Sequence, residues 1–323
     1  MQPLTRVTPA VYQGPSVLTP VALVIFNRPR LTDMVFNAIA QVKPRTLLVT
    51  ADGPRPGHQS DVQKCAETRE IVDQVDWPCE VLKNYSDVNL GCKRRLASGL
   101  DWVFSTVEEA IVLEDDCVPH PTFFRFCQEM LQRYRDDERL MMISGANLLG
   151  SWKSENQSYH FSHHGGIWGW ASWRRAWQHF DVDMRLWAEP EVKARVRDVV
   201  ANPKLYRSIE RAFDATFSGK VNTWDYQWYF ARLLQSGLSV VSSVNLVSNR
   251  GFGSEEATHT STAKSPLANL PVYPMSFPLK PPPGMTDDRR FYELCYLLHT
   301  GGIGHRLGSL QRASGRLRRI LRQ

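Results

Sequence analysis

Three consecutive acidic residues, Glu114-Asp115-Asp116, directly follow the short apolar run at residues 110–113. Adjacent carboxylates repel one another, so a fold places them together only where a cation or hydrogen-bond donors compensate the charge. Oxygen ligands of this kind suit Mg²⁺ or Mn²⁺, which are commonly held by one or two carboxylates together with substrate phosphates. A solvated acidic turn is the alternative, but the position at the end of a buried strand favours a metal site.

Two further polar clusters end apolar runs in the same way. Residues 21–26 stop at Asn27-Arg28-Pro29, and residues 46–50 stop shortly before Asp52-Gly53. Such runs of branched apolar residues indicate strands buried on both faces. Ligands of parallel sheets bind at the carboxyl ends of the strands, so we expect these clusters and the acidic triplet to meet at one edge.

Helical patterns alternate with these strands, which predicts βαβ units and an α/β fold with a mostly parallel, Rossmann-like sheet flanked by helices. In the first half, strands are expected at residues 21–26, 46–50, 80–82 and 110–113, and helices at 31–42, 61–75 and 93–104. In the second half, helices are expected at 121–134, 191–200, 204–217 and 224–235, strands at 140–143 and 238–244, and a loop leading into a helix at 165–171.

The ordered motifs resemble the GT-A glycosyltransferases, in particular family 2 enzymes and the N-acetylglucosaminyltransferase I group, whose metal motif is likewise Glu-Asp-Asp. The resemblance covers roughly residues 20 to 260 and rests on four segments: Val21-Ala-Leu-Val-Ile-Phe-Asn-Arg28, Ala51-Asp52-Gly53, Asn89-Leu-Gly91 and Ala110-Ile-Val-Leu-Glu-Asp-Asp116. Bacterial proteins of this pattern are sometimes labelled haemolysin-like. The resemblance implies a GT-A fold in which residues 19–117 bind the nucleotide and residues 118–266 bind the acceptor.

The resemblance also implies roles for individual residues at the strand ends. Asp116 would coordinate a metal that bridges the donor diphosphate, and Asp115, next to Glu114, would contact the ribose or a metal-bound water. Asp52 would accept from the base edge, which favours a UDP donor, although an Asp before Gly-Pro is also an ordinary turn residue. Asn27 and Arg28 would border the base pocket. The alternative interpretation is that these two residues, followed by a proline, only start a turn.

Two basic or aromatic clusters are further candidates for the donor or acceptor site. Lys93-Arg94-Arg95 lies at a predicted helix N-terminus, where amide donors and the helix dipole favour anions, and we single out Arg94 as a phosphate contact. A solvated basic face explains the same residues equally well. In Gly165-Gly-Ile-Trp-Gly-Trp170, glycines allow close approach of a ligand, and Trp168 and Trp170 could stack on a sugar ring.

Inverting glycosyl transfer needs a base that removes the proton of the acceptor hydroxyl. In the resembled families, an Asp at a helix start in a Trp-Asp context has this role, which implies Asp225 as the base. A helix-capping Asp would look the same from sequence. In related enzymes a polar loop closes over the donor. The corresponding loop of this chain follows the last predicted strand and contains His259, which the resemblance implies as a second metal ligand.

Composition limits the other classes of function. The net charge of +6 equals the six arginines of the tail at 305–323, which has no acidic residue, so the body of the protein is balanced and no nucleic-acid partner is expected. The tail can form a basic amphipathic helix, so peripheral contact with the inner face of a membrane is one expectation and a disordered tail the other. Residues 1–18 are expected to be an extension, and residues 267–323 a Pro-rich segment followed by this tail.

The six cysteines have no metal-finger spacing, and no segment resembles a signal peptide or a membrane span, which predicts reduced thiols and a cytoplasmic protein.

The expected activity is transfer from a nucleotide sugar to a hydroxyl of a cell-surface glycan or a lipid-linked precursor. One alternative is a nucleotidylyltransferase, although the glycine-rich phosphate loop it needs is not present after the first strand. The other is a non-catalytic glycan-binding or membrane-acting protein.

Overall fold

One eight-stranded sheet organises the part of the chain that the structure, a computed structural model, describes: residues 17–253 and 265–299. The first half supplies four of its strands, β1 (Val21–Ile25), β2 (Thr46–Ala51), β3 (Glu80–Tyr85) and β4 (Glu109–Glu114). The helices between them are α1 (Pro29–Val42), α2 (Gln59–Val72) and α3 (Gly91–Thr106). All four strands are parallel, in the order β3-β2-β1-β4, so the predicted βαβ units are confirmed.

The second half extends this sheet with strands of both directions and adds a small ribbon. Its strands are β5 (Cys117–Pro119), β6 (Leu140–Ser144), β7 (Tyr159–Ser162), β8 (Trp170–Trp173), β9 (Leu238–Ser242) and β10 (Val247–Asn249). The sheet continues from β4 in the order β8-β6-β9-β7, while β5 and β10 pair with each other separately. Both pairs that β8 makes are antiparallel, so the sheet is mixed, with a parallel first half.

Within the described residues of the second half, the α-helices are α4 (Thr122–Arg133), α5 (Arg174–Trp177), α6 (Pro190–Val200), α7 (Pro203–Phe217), α8 (Asp225–Leu234) and α9 (Arg289–His299). Proline occupies the first position of α1, α6 and α7, where its fixed φ suits the helix and its missing N–H costs nothing. The α/β fold with a large sheet flanked by helices agrees with the prediction.

The alternation of side chains along β1 explains why its sequence is apolar throughout. Val21, Leu23 and Ile25 face one core, while Ala22 and Val24 face a second core on the other side of the sheet. The first core also contains apolar residues of α1 and α4, and the second contains those of α3 and α8. Both faces of the strand are therefore buried against helices, as parallel strands require.

The sequence interpretation of residues 165–171 is partly wrong. Gly169 makes a turn at φ +63°, and the following Trp170 begins strand β8, which lies between β4 and β6. A Gly-rich segment with two tryptophans has the composition of a loop, and the strand depends on its long-range pairing with β4 and β6. The short strands β5, β7 and β10 and the helix α9 also have no counterpart in the sequence prediction.

The Pro-rich segment is part of the folded body up to residue 299. Met275 and Leu279 lie in the first core, and Phe291 and Cys295 of α9 are buried against Val241 of β9. All six cysteines are free thiols, as expected. The tail at 305–323 lies outside the described residues.

Candidate functional site

The carboxyl ends of β1, β2 and β4 meet at one edge of the sheet, as the alternation predicts. Ile25 pairs with Ala51, and Val24 pairs with Glu114, so the three strands end at nearly the same level. The backbone N–H of Phe26 donates to Oδ2 of Asp115 at 3.3 Å, which ties the end of β1 to the acidic triplet.

Arg28 lies directly against the acidic triplet. Its Nη1 donates to Asp116 Oδ2 at 2.9 Å, and its Nη2 donates to Asp115 Oδ1. The side chains of Asp115 and Asp116 are only 3% and 10% exposed, so water contributes little to their solvation. Arg28 is therefore the principal counter-ion of both carboxylates, in addition to any contact with a nucleotide base.

The triplet retains more negative charge than Arg28 offsets. Burial, followed by the neighbouring Asp116 and Asp115, raises the pKa of Glu114 well above its usual range, and Asp225 raises it further. Burial likewise raises the pKa of Asp115 to about 6, although Arg28 opposes this shift. Buried carboxylates that repel one another are the donor set that a hard divalent cation stabilises. These oxygen donors are of the kind that Mn²⁺ or Mg²⁺ prefers, and the assignment of Asp116 as a metal ligand stays a prediction.

The ribbon of β5 and β10 holds a second segment against Asp116. Asn249 pairs with Cys117, and the N–H of Arg250 donates to the Asp116 carbonyl at 2.8 Å. The buried Asn249 side chain places its Nδ2 3.5 Å from Asp116 Oδ1, while its Oδ1 accepts the N–H of Gly251 at 2.8 Å. A Cβ at Gly251 would overlap the Asp116 carboxylate. This glycine therefore permits the close approach of the 249–253 segment to the acidic edge.

Asp52 is buried at the end of β2 and organises the start of α3. Its Oδ1 accepts the N–H groups of Gly53 at 2.9 Å and Leu90 at 2.8 Å, and its Oδ2 accepts Asn89 Nδ2 and the N–H of Gly91, both at 3.0 Å. These four hydrogen bonds occupy most of the acceptor capacity of a carboxylate. The observed contacts of Asp52 are therefore those of a helix cap, and its contact with a nucleotide base stays a prediction.

The basic residues at the start of α3 have three different environments. Arg94 is exposed and forms no ion pair within the described part of the chain. Lys93 lies 3.6 Å from Asp183, and Arg95 is buried, with its guanidinium on the carbonyl and side chain of Asn84. Of the three, Arg94 has the accessible and uncommitted charge that a phosphate contact needs.

Asn27 belongs to a buried network that sequence reasoning did not identify. Its Nδ2 donates to Asp61 Oδ1 at 2.8 Å, and Asp61, on α2, also accepts Nε of Arg55 at 2.6 Å. The hydrogen bond from Arg55 is the main reason why the pKa of Asp61 lies far below its usual range. Asn27 thus joins the end of β1 to α2, and its place beside a base pocket stays a prediction.

Asp225 is the first residue of α8 and lies half-buried near the acidic triplet. Thr223 Oγ1 donates to its Oδ1. Its charge contributes to the raised pKa values of both Glu114 and Cys92, the second residue of α3, which agrees with a position near this edge of the sheet. A Cβ at Gly91 would lie 3.6 Å from Asn222 Nδ2, so the segment before α8 adjoins the start of α3.

The two tryptophans of the Gly-Trp segment differ. Trp170 is fully buried, with Trp177, Trp224 and Trp228 around it at centroid distances of 5.7 to 6.1 Å. The expectation that it stacks on a sugar is therefore wrong, because β8 directs it into the second core. Trp168 is half-buried and contacts Phe252 edge-on at 5.5 Å, next to the 249–253 segment. Trp173 and Trp177 are core residues, as predicted.

His259 lies outside the described residues. Within residues 17–253 and 265–299, no three or more His, Cys, Asp or Glu side chains form a group that could hold a metal ion. A metal at this edge would consequently need phosphate oxygens of a substrate to complete its coordination. Among the described helices, none combines the length and apolar character of a membrane span.

Neither a family model nor a curated protein matches this chain significantly. Solved structures with some likeness include a UDP-glucose pyrophosphorylase complexed with UDP-glucose, at 8% identity and a TM-score of 0.35 over 71% of this chain and 91% of that one. The apo form of UDP-glucose pyrophosphorylase gives 8% identity and a TM-score of 0.33 over 71% and 93%. A 4-diphosphocytidyl-2C-methyl-D-erythritol synthase from Anaerococcus prevotii gives 9% and 0.32 over 53% and 77%. Likeness this slight does not assign a family or an activity.

Proposed function

We propose that this chain is a metal-dependent glycosyltransferase that moves a sugar from a nucleotide diphosphate donor to a hydroxyl group. The donor is proposed to be a UDP-sugar, and the acceptor a cell-surface glycan or its lipid-linked precursor. The observation that carries the proposal is the position of Asp225. Asp225 begins another helix, α8, and its charge contributes to the raised pKa of Glu114, which supports a proton-accepting group beside the proposed donor site.

The triplet and Arg28 would hold the diphosphate end of the donor. Asp116 and Asp115 supply the oxygen ligands for Mn²⁺ or Mg²⁺, which when bound offsets the charge of the diphosphate and stabilises it as a leaving group. Arg28 lies against the same carboxylates and is within reach of a phosphate that approaches them. The exposed Arg94, at the start of α3, could contact the same anion.

Asp225 would accept the proton of the attacking hydroxyl. Its Oδ1 accepts a hydrogen bond from Thr223, and no described residue donates to Oδ2, which leaves one oxygen for an acceptor hydroxyl. Because the metal stabilises the leaving diphosphate, no general acid is needed on the donor side. The half-buried Trp168 lies beside the 249–253 segment and is proposed to contribute an aromatic face to the sugar.

Nucleotidylyl transfer, in which a sugar 1-phosphate attacks a nucleoside triphosphate, is the second candidate. It uses a parallel sheet and a metal at strand ends in a similar way, and the solved structures named above include two UDP-glucose pyrophosphorylases. Nucleotidylyl transfer would need a glycine-rich loop for the triphosphate at the end of β1, but this chain has Asn27-Arg28-Pro29 there. The guanidinium of Arg28 is also already bound by two carboxylates.

Both candidates can be tested on the full-length chain with one set of reactions. UDP-, GDP- and dTDP-sugars are incubated with a panel of glycan and lipid-linked acceptors that carry free hydroxyls, with and without Mn²⁺, and nucleoside diphosphate release is measured. In parallel, UTP and glucose 1-phosphate are incubated, and pyrophosphate release is measured. Glycosyl transfer predicts metal-dependent release of a nucleoside diphosphate that Asp116→Asn and Asp225→Asn abolish and the exposed control Asp87→Asn leaves unchanged. Pyrophosphate release alone, or wild-type rates in both variants, would overturn the proposal.

A further inference from the structure

A cavity of about 480 Å³ lies in the half of the protein that follows the triplet, away from the acidic edge. The turn between α6 and α7 forms one side, and residues of α8 and α9 form the others. None of its lining residues belongs to the acidic edge or its contacts. Its volume is in the range of pockets that bind small ligands, so its lining indicates which chemistry it would accept.

The charges around the opening are predominantly positive after internal pairs are accounted for. Arg289 pairs with Asp287 at 3.4 Å, and Glu293 accepts from Asn202 Nδ2 at 3.1 Å and lies 3.4 Å from Arg290. Two lining cations remain, Lys204 and Arg207 on the first turns of α7. Both are exposed, and neither forms an ion pair with any residue the structure describes. Arg207 donates only Nε, to the Pro203 carbonyl, which leaves its terminal nitrogens available.

A buried guanidinium behind the cavity wall adds to this potential. Arg232 on α8 is 1% exposed and has no carboxylate partner among the residues described. Its Nη1 donates to Ser239 Oγ at 2.5 Å and lies 3.4 Å from the carbonyl of His163, a lining residue. A buried charge is normally paired, so an uncompensated one leaves a positive field at the adjoining surface.

Two tyrosines on the wall supply flat surface and polar groups. Tyr229 and Tyr292 line the cavity, and their rings meet edge-on at 6.2 Å. The Tyr229 hydroxyl is buried and interacts with the side chain of Tyr292. The Tyr229 ring also lies 5.4 Å from the Arg232 guanidinium. Aromatic rings that carry hydroxyl groups suit a ligand that has both an apolar ring face and hydroxyl groups.

From these contacts we propose that the cavity binds a sugar that carries an oxyanion, either a phosphate or a carboxylate. Lys204 and Arg207 contact the anion at the opening, and Tyr229 and Tyr292 contact the sugar ring. The proposal does not depend on the activity assigned to the acidic edge, because the two sites share no residue. The proposed ligand of the cavity is therefore an anionic sugar, in addition to the nucleotide sugar proposed for the acidic edge.

Binding can be measured on the full-length protein by NMR or calorimetric titration with four probes: glucose 6-phosphate, glucuronate, glucose and inorganic phosphate. Lys204→Gln and Arg207→Gln remove the unpaired cations. Arg211→Gln is the matched control, since Arg211 is exposed one turn later on α7 and does not line the cavity. Asp116→Asn serves as a second control that alters only the acidic edge.

We expect at least one of the two anionic sugars to bind at least about tenfold more tightly than both glucose and inorganic phosphate, since a charge-assisted contact contributes about this much. The preference between the phosphate and carboxylate probes identifies the oxyanion. Arg207→Gln and Lys204→Gln should each weaken that binding about tenfold, whereas Arg211→Gln and Asp116→Asn should not. The proposal is overturned if neither anionic sugar binds, if glucose or inorganic phosphate binds as tightly, or if the two α7 variants bind like the control.

Discussion

Arg28 and Asp116 join the ends of two neighbouring parallel strands, with Nη1 of the arginine 2.9 Å from Oδ2 of the aspartate. Strand β1 ends three residues before Arg28, and β4 ends two residues before Asp116. The same guanidinium contacts Asp115. The Arg28 guanidinium thus joins the carboxyl end of β1 to the carboxylates after β4 that would bind a metal.

Replacing Arg28 should destabilise the protein in a pH-dependent way. Arg28→Gln leaves the buried Asp115 and Asp116 without their counter-ion, and we expect the free energy of unfolding to fall by about 3 kcal/mol at pH 8. The fall should be smaller at pH 5, because burial already raises the pKa of Asp115 to about 6 and its protonated form does not need the guanidinium. Urea unfolding at both pH values measures this, with the exposed Arg30→Gln as control. Equal stability of the two variants at pH 8 would contradict the role of Arg28.

Gly251→Ala should abolish donor turnover while the fold is largely retained. A methyl group at this position overlaps the Asp116 carboxylate and lies 3.2 Å from Arg28 Nη1, so either the 249–253 segment or the carboxylate must move. We expect a loss of turnover of at least about a hundredfold, since small displacements of reacting groups have effects of this size. Gly284→Ala is the control, because a Cβ there meets nothing within 4 Å. Equal turnover in both variants would show that the segment has no influence on the site.

Asp52→Ala should destabilise the start of α3. Two backbone N–H groups of that region, those of Leu90 and Gly91, lose a charged acceptor together with the Asn89 side chain. Helix caps of this kind contribute about 1–2 kcal/mol, and hydrogen bonds to a buried carboxylate somewhat more, so we expect a loss of about 3 kcal/mol. Thermal or urea unfolding measures the effect against Asp87→Ala, which changes an exposed residue of the same loop. A loss no greater than that of the control would mean that water replaces the carboxylate.

His160 should make the protein less stable in mildly acidic solution. Burial lowers the pKa of this histidine from about 6.5 to about 4, and neither ring nitrogen has a hydrogen-bond partner among the residues described. Between these two pH values the unfolded chain binds a proton that the folded protein does not, so the free energy of unfolding decreases by about 1.4 kcal/mol per pH unit. From pH 7.5 to pH 5 this single group should therefore contribute a loss of about 2 kcal/mol.

The contribution of His160 can be isolated with two variants. His160→Phe keeps the ring contact with Phe291, whose centroid lies 4.4 Å away, but removes the titrating group. Its urea midpoint should change less between pH 7.5 and pH 5 than that of the natural protein. His179→Gln changes an exposed histidine and should retain the full dependence. The assignment fails if His160→Phe loses as much stability over this interval as His179→Gln.

The parallel half of the fold is predictable from sequence because its signals are local. The uninterrupted apolar run of β1 has both faces buried, and the polar residues that end β1, β2 and β4 meet because parallel strands end at one edge. Strand β8 is different, since Trp170 pairs with residues 58 positions earlier along the chain and its own segment has the composition of a loop. Long-range pairing decides its structure, and no local pattern contains that information.

The candidate site likewise has residues that could be predicted from the sequence and contacts that could not. The carboxylates of the triplet could be proposed from residue type and position, and Asp225 from the resemblance to the glycosyltransferases. The ion pairs of Arg28 and the three hydrogen bonds that Asp52 accepts from residues 89–91 could not, because they depend on the register of segments 37 to 88 residues apart. The network of Asn27, Asp61 and Arg55 had one usable signal, an Asp near the start of a predicted helix, but that signal did not identify its partners.

The ribbon of β5 and β10 also has a consequence for the order in which the protein can be assembled. Cys117 and Asn249 are strand partners, yet the ribosome delivers the second 132 residues after the first. During synthesis, the acidic triplet is therefore exposed on the nascent chain well before the segment that covers it exists. A chain that ends before β10 would contain every carboxylate of the triplet and still lack the backbone contact that positions Asp116.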